Sequence, residues 1–129
     1  ISRGLVGSEM CIRDSGLAAA TGKALLSVRK PLRVAVFSTG DEVTDPGEEL
    51  ARGKIYDSNR FTLMNLLTTL GCEVEDIGII PDKPALIEKA VASSIQQKDL
   101  IITSGGVSTG EEDHVKNFIE KTGELLFWS

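Results

Sequence analysis

Acidic and glycine residues collect where runs of apolar residues end. Thr39-Gly40-Asp41-Glu42 follows the first such run and Pro81-Asp82 the second, while Ser104-Gly105-Gly106-Val107-Ser108-Thr109-Gly110-Glu111-Glu112-Asp113 follows the third. Carboxylates gathered at one rim could hold Mg²⁺, which takes oxygen ligands and usually keeps several waters. A glycine-rich turn ahead of a helix exposes backbone N–H groups, a receptor for phosphate or another oxyanion. Each piece also has a structural reading. Asp82 fits as the cap of a helix beginning near Pro84, and Asp57 with Ser58 as the cap of one opening at Asn59; a cap is worth about 1 kcal/mol. Glu111, Glu112 and Asp113 fall in a first helical turn, where the helix dipole favours acids. Asp41 and Glu42 have no such explanation, because no helical pattern starts directly after them. Ser104-Gly105-Gly106 alone marks a tight turn. His114 reads as a solvated helix residue and Cys72 as a small buried hydrophobe. Lys54 reads as a solvated flank that could meet an anion.

The elements that must position these residues alternate in type. Leu32 to Ser38 is a nearly continuous apolar run, typical of a parallel strand covered on both faces. Val74–Ile80 and Leu100–Thr103 are further strand candidates, and Leu125 to Trp128 begins another. Between them, Phe61, Met64, Leu67 and Leu70 recur at threes ahead of Gly71. Leu86, Ile87, Ala90, Val91 and Ile95 form a second helical stripe, and Val115, Phe118 and Ile119 a third. Strand and helix in alternation predict βαβ units on a mostly parallel sheet, an α/β fold. Such sheets bind ligands outside the carboxyl ends of their strands, at a topological switch point. That is where the acids and glycines fall.

The chain has 129 residues, enough for one domain with a core. No apolar run approaches the roughly 18 residues of a membrane-spanning helix. Fourteen Lys and Arg against nineteen Asp and Glu leave a net charge of −5, without the basic excess of a nucleic-acid binder. Two cysteines cannot build a disulfide scaffold, and one histidine leaves little for a hydrolytic triad. The composition predicts a soluble, cytoplasmic, acidic domain. Residues 1–15 lack helical or strand periodicity and read as a non-native leader; residues 16–30 read as a short helical turn and a linker from a preceding domain. Residues 31–129 carry the patterned domain.

Four motifs stand in order: Ser38-Thr39-Gly40-Asp41-Glu42, Ile55-Tyr56-Asp57-Ser58-Asn59, Gly78-Ile79-Ile80-Pro81-Asp82 and Thr103 through Asp113. Together they resemble the molybdopterin-binding domain of the molybdopterin molybdenumtransferase family, over roughly residues 16 to 129. The resemblance implies a three-layer fold of the molybdenum cofactor biosynthesis type. It implies an enzyme that takes adenylyl-molybdopterin and molybdate, inserts molybdenum into the dithiolene with Mg²⁺, and releases AMP. Glu42, Asp82 and Asp113 match the family's functional acids, with Glu42 and Asp82 as implied metal ligands. Gly40, Asp41, Asp57, Ser58, Asn59, Ser104, Gly105, Gly106 and Ser108 match its cofactor-binding motifs. The family also implies a homodimer, and neither a nucleic-acid nor a membrane partner. The chain ends at Ser129, before the family's Lys-Pro-Gly-Lys-Pro-type loop and Gly-Leu-Pro-Gly-Asn-Pro-type turn, so it reads as a C-terminally incomplete fragment.

Related families remain as alternatives. A molybdopterin adenylyltransferase usually carries Ser-Gly-Gly-Thr-Gly, where this chain has Ser104-Gly105-Gly106-Val107-Ser108. The competence-damage domain carries Thr-Gly-Gly-Leu-Gly-Pro-Thr, a poorer fit. A non-catalytic scaffold module of the gephyrin type would keep the fold, and loss of the acids would favour it; here they are present.

Overall fold

The computed structural model describes residues 9–105 together with residues 120, 123, 124 and 126. In chain order the elements are α1 (Glu9–Ala20), β1 (Arg33–Thr39), β2 (Val43–Thr44), β3 (Ile55–Tyr56), α2 (Asn59–Thr69), β4 (Glu73–Ile80), α3 (Pro84–Ile95) and β5 (Leu100–Ser104). Every residue of β1 after Arg33 is buried. Such a strand needs a neighbour on each edge and a layer on each face. It has both: β4 and β5 flank it in parallel, in the order β4-β1-β5.

Side chains alternate across a strand. Val34 and Val36 pack with Leu67 of α2 on one face of the sheet. Phe37 packs with Ile80 and with Ile87 of α3 on the other. The result is the three-layer α/β fold with a parallel sheet that the sequence predicts. The chain leaves β1 for β4 through α2, then returns past β1 to β5 through α3. The strand order therefore reverses beside β1, and the carboxyl ends of β1 and β5 flank that switch point.

The helical faces differ from those predicted. On α2 the buried stripe is Arg60, Leu63, Met64 and Leu67, whereas Phe61, Leu66 and Leu70 are exposed. A spacing of three drifts around a helix of 3.6 residues per turn, while i, i+3, i+4, i+7 stays on one side. The same rule selects Ile87, Ala90, Val91 and Ser94 on α3 and leaves Leu86 and Ile95 exposed. Gly71, at φ +83°, ends α2 in the left-handed conformation expected of a glycine stop.

Two features have no counterpart in the sequence reading. β2 and β3 form a short parallel ribbon, pairing Val43 with Ile55 and Thr44 with Tyr56. β4 carries a bulge: Val36 pairs with Asp76 and Phe37 with Gly78, leaving Ile77 as the extra residue. Helix α1 begins at Glu9, inside the stretch read as a patternless leader, and from Ile12 to Lys30 only Ala18 is even half-buried. The helix expected around Val115, Phe118 and Ile119 lies outside the described residues, as do Leu125, Phe127 and Trp128 of the expected last strand.

Candidate functional site

A cleft of about 150 Å³ opens at the switch point. Its floor is Ser38 and Thr39, the last two residues of β1, and Ser104 and Gly105 at the end of β5 close one side. Glu42, Val43, Ile55 and Tyr56 form a wall from the ribbon, and Asp57, Ser58 and Asn59 bring in the start of α2. Ser38 and Thr39 are 1% and 2% exposed, and among the described residues neither side-chain oxygen has a hydrogen-bond partner, which is also true of Thr44 and Thr103 outside the lining. Buried polar groups are normally satisfied, at a cost of about 1–3 kcal/mol when they are not. Two unsatisfied hydroxyls beneath a cleft suit a ligand rich in oxygen.

Two glycines let the backbone reach this shape. Gly105 has φ +100°, and a Cβ there would stand 2.2 Å from the Thr39 carbonyl oxygen. The β5 turn can thus lie against the end of β1 only without a side chain. Gly40 has φ +137°, and its missing Cβ would meet the Glu42 carboxylate at 2.7 Å. That carboxylate folds back over the turn.

The structure brings Glu42, Asp57, Ser58, Asn59, Ser104 and Gly105 together around one cleft. Gly40 and Asp41 shape the turn beside it without lining it. Asp82 does not line the cleft either, but its backbone N–H donates to Asp41 Oδ1 at 3.3 Å, joining the turns after β1 and β4. Asp82 does not cap α3, because the N-cap is Lys83 and makes no side-chain bond. Ser58 is the N-cap of α2 by position, also without a side-chain bond; Asp57 Oδ1 takes the Arg60 N–H at 3.2 Å instead. Lys54 is exposed and lines no part of the cleft. Gly106, Ser108, Asp113 and His114 lie outside the described residues.

Sequence reasoning missed Arg60. It is 2% exposed and meets Asp57, Asp76 and Asp45. The signal was its place on the i, i+3, i+4, i+7 stripe with Leu63, Met64 and Leu67, where a charged residue demands partners. Ser38 and Thr39 were also overlooked as candidate ligands, although two hydroxyl residues closing an apolar run mark the strand end.

Mg²⁺ can be tested against the donors present. Among the described residues no group of three or more His, Cys, Asp and Glu side chains could hold a metal ion alone. Mg²⁺ commonly uses one or two carboxylates and completes its shell with water and substrate phosphate. Glu42 in the cleft wall is an oxygen donor of that kind, whereas Asp82 stands outside the lining and is joined to the neighbouring turn through its backbone N–H and Asp41.

The family described as probable molybdopterin binding domain matches residues 35–128. The chain belongs to that family. It is 49% identical over 122 residues to a molybdopterin molybdenumtransferase of Haemophilus influenzae, covering 95% of this chain and 30% of that protein. It is 35% identical over 133 residues to gephyrin of Dictyostelium discoideum, covering 94% of this chain and 18% of that one. A crystal structure of a molybdopterin biosynthesis moeA protein from Pyrococcus horikoshii superposes with a TM-score of 0.72 at 30% identity, covering 85% of this chain and 27% of that one. The chain thus spans less than a third of the length of these relatives. Among the described residues no helix is long and apolar enough to cross a membrane.

Proposed function

We propose that the chain is the substrate-binding part of a molybdopterin molybdenumtransferase, which inserts molybdate into adenylyl-molybdopterin and releases AMP in the cytoplasm. The observation that carries this reading is the cleft at the switch point, with two hydroxyls in its floor that have no partner among the described residues and a carboxylate on its wall. The relatives' names support molybdenum transfer to molybdopterin, the adenylyl substrate and AMP release follow from the motif resemblance, and the cleft offers a place for an oxygen-rich substrate. Ser38 and Thr39 are donors for substrate oxygens, and the Gly105 turn lets backbone approach closely. Ser58 and Asn59 present the first turn of α2, whose dipole favours an anion. Glu42 and Asp82 would hold Mg²⁺, which when bound offsets the phosphate charge as AMP departs. Asp113 is assigned to the same acidic set, and a homodimer is the assembly proposed for the whole protein.

The test is AMP release from adenylyl-molybdopterin with molybdate and Mg²⁺, in the full protein and in Glu42→Gln. The expected loss is at least about tenfold, the scale of one charge contact to the reacting phosphate. No AMP release by the parent protein would overturn the assignment.

A further inference from the structure

Arg60 lies outside the cleft lining, yet its ion pairs join the cleft wall to the sheet. Its Nη1 donates to Asp76 Oδ1 at 2.8 Å, its Nε forms an ion pair with Asp57 Oδ2 at 3.0 Å without the alignment of a hydrogen bond, and its Nη2 pairs with Asp45. A guanidinium offers donors in a fixed plane and can satisfy three directions at once. The three carboxylates come from separate segments. Asp45 directly follows β2, Asp57 directly follows β3, and Asp76 sits at the bulge of β4. The bulge is shaped around the arginine. Asp76 Oδ1 also takes the Gly78 N–H at 2.8 Å, and a Cβ on Gly78 would lie 3.4 Å from Arg60 Nη1. Asp57 is 4% exposed, and a carboxylate so buried is retained only with a paired charge.

We propose that Arg60 is a positioning residue: it clamps the carboxyl ends of β2 and β3 to β4 and thereby holds the cleft wall, from Glu42 to Asp57, over the Ser38–Thr39 floor. Arg60 acts through Asp57 and Asp45. The ribbon's own ladder is short, the Ile55 N–H donating to the Glu42 carbonyl and the Asp57 N–H to the Thr44 carbonyl, each at 2.9 Å, and without Arg60 it opens more readily. It loses its anchor to the sheet. Glu42 then loses its fixed place, which links the clamp to turnover; that link rests on the proposed function, whereas the clamp does not.

The experiment is residue-resolved amide exchange with an AMP-release assay, in the full protein and in Arg60→Met, Arg60→Lys and Asp45→Asn. Asp45→Asn removes one half-exposed tether and leaves the buried pair intact, so it tests the clamp even where Arg60→Met fails to fold. The expected result is faster exchange at Ile55 and Asp57, by about tenfold or more, with Ala35 and Val36 of β1 unchanged, since local opening leaves the core protected. Arg60→Lys restores the charge without the fork and falls between parent and Arg60→Met. Turnover falls in the same order, through kcat more than KM. Exchange unchanged at the ribbon, or raised equally in β1, would overturn the proposal, as would full turnover with an opened ribbon. A parent protein that releases no AMP would refute the functional reading alone, and exchange would still decide the clamp.

Discussion

Arg33 and Asp99 meet where β1 and β5 begin. Arg33 donates to Asp99 through its backbone N–H at 2.9 Å, its Nε at 3.1 Å and its Nη2 at 2.9 Å. The side-chain hydrogen bonds from Arg33 hold the Asp99 carboxyl down, at about 2 against an ordinary 3.8. A carboxylate with a depressed folded pKa stabilises the fold above its unfolded value, and that contribution disappears as pH falls through the folded one. The stability gap between parent and Asp99→Asn should therefore be constant above about pH 5 and close between about pH 4 and 2, as followed by denaturant unfolding. A gap unchanged at pH 2 would contradict it. Mg²⁺ tests the acids at the same scale. If Glu42 and Asp82 hold the ion, Mg²⁺ at a hundred times its Kd should stabilise the parent by about 2.7 kcal/mol. Asp82→Asn should reduce the shift of the unfolding midpoint, and equal shifts in parent and variant would remove Asp82 from the site. The place of Glu42 beside the cleft was legible because it follows an apolar run, whereas Asp82, which follows another, stands outside the lining. Arg60 was not legible, because a lone arginine inside a helix reads as surface until its stripe is counted from Leu63, Met64 and Leu67.

Among the elements, the long ones were legible and the short ones were not. β1, β4, β5, α2 and α3 announce themselves through apolar runs and stripes long enough to show a period. β2 and β3 pair only two residues each, too few for any alternation, and the residues that follow them, Asp45 and Asp57, meet Arg60 in the first turn of α2. The bulge at Ile77 was hidden as well, because its cause is a contact with a distant helix. Gly105 marks where an element meets the site. Its positive φ and its contact with the Thr39 carbonyl both forbid a side chain. Gly105→Ala should cost at least about 1–3 kcal/mol of strain and push the end of β5 away from the cleft floor. Urea unfolding measures the first, and chemical shifts at Ser38 and Thr39 report the second. Gly16→Ala, at a position with open space and no positive φ, is the control expected to cost nothing.

At the scale of the whole molecule, stability resides in the sheet and its two covering helices. Val34, Val36 and Leu67 form the core on one side of β1, and Phe37, Ile80 and Ile87 the core on the other. Hydrophobic stabilisation follows apolar area removed from water, about 25 cal/mol per Å². By that measure α1 contributes little, since Ile12 and Leu17 remain 74% and 67% exposed. The two regions should respond very differently to change. Phe37→Ala removes a 2%-exposed side chain from between two elements and should cost about 3–5 kcal/mol, a large share of the roughly 5–15 kcal/mol that holds a domain. Deleting residues 1–15, of which Ile12 to Ser15 are exposed, should change unfolding by less than about 1 kcal/mol. Thermal unfolding of parent, Phe37→Ala and the deletion, at matched concentration, compares them directly. A deletion that costs more than about 1 kcal/mol would mean that the leader packs on the domain, and the reading of residues 1–15 as foreign to it would fall.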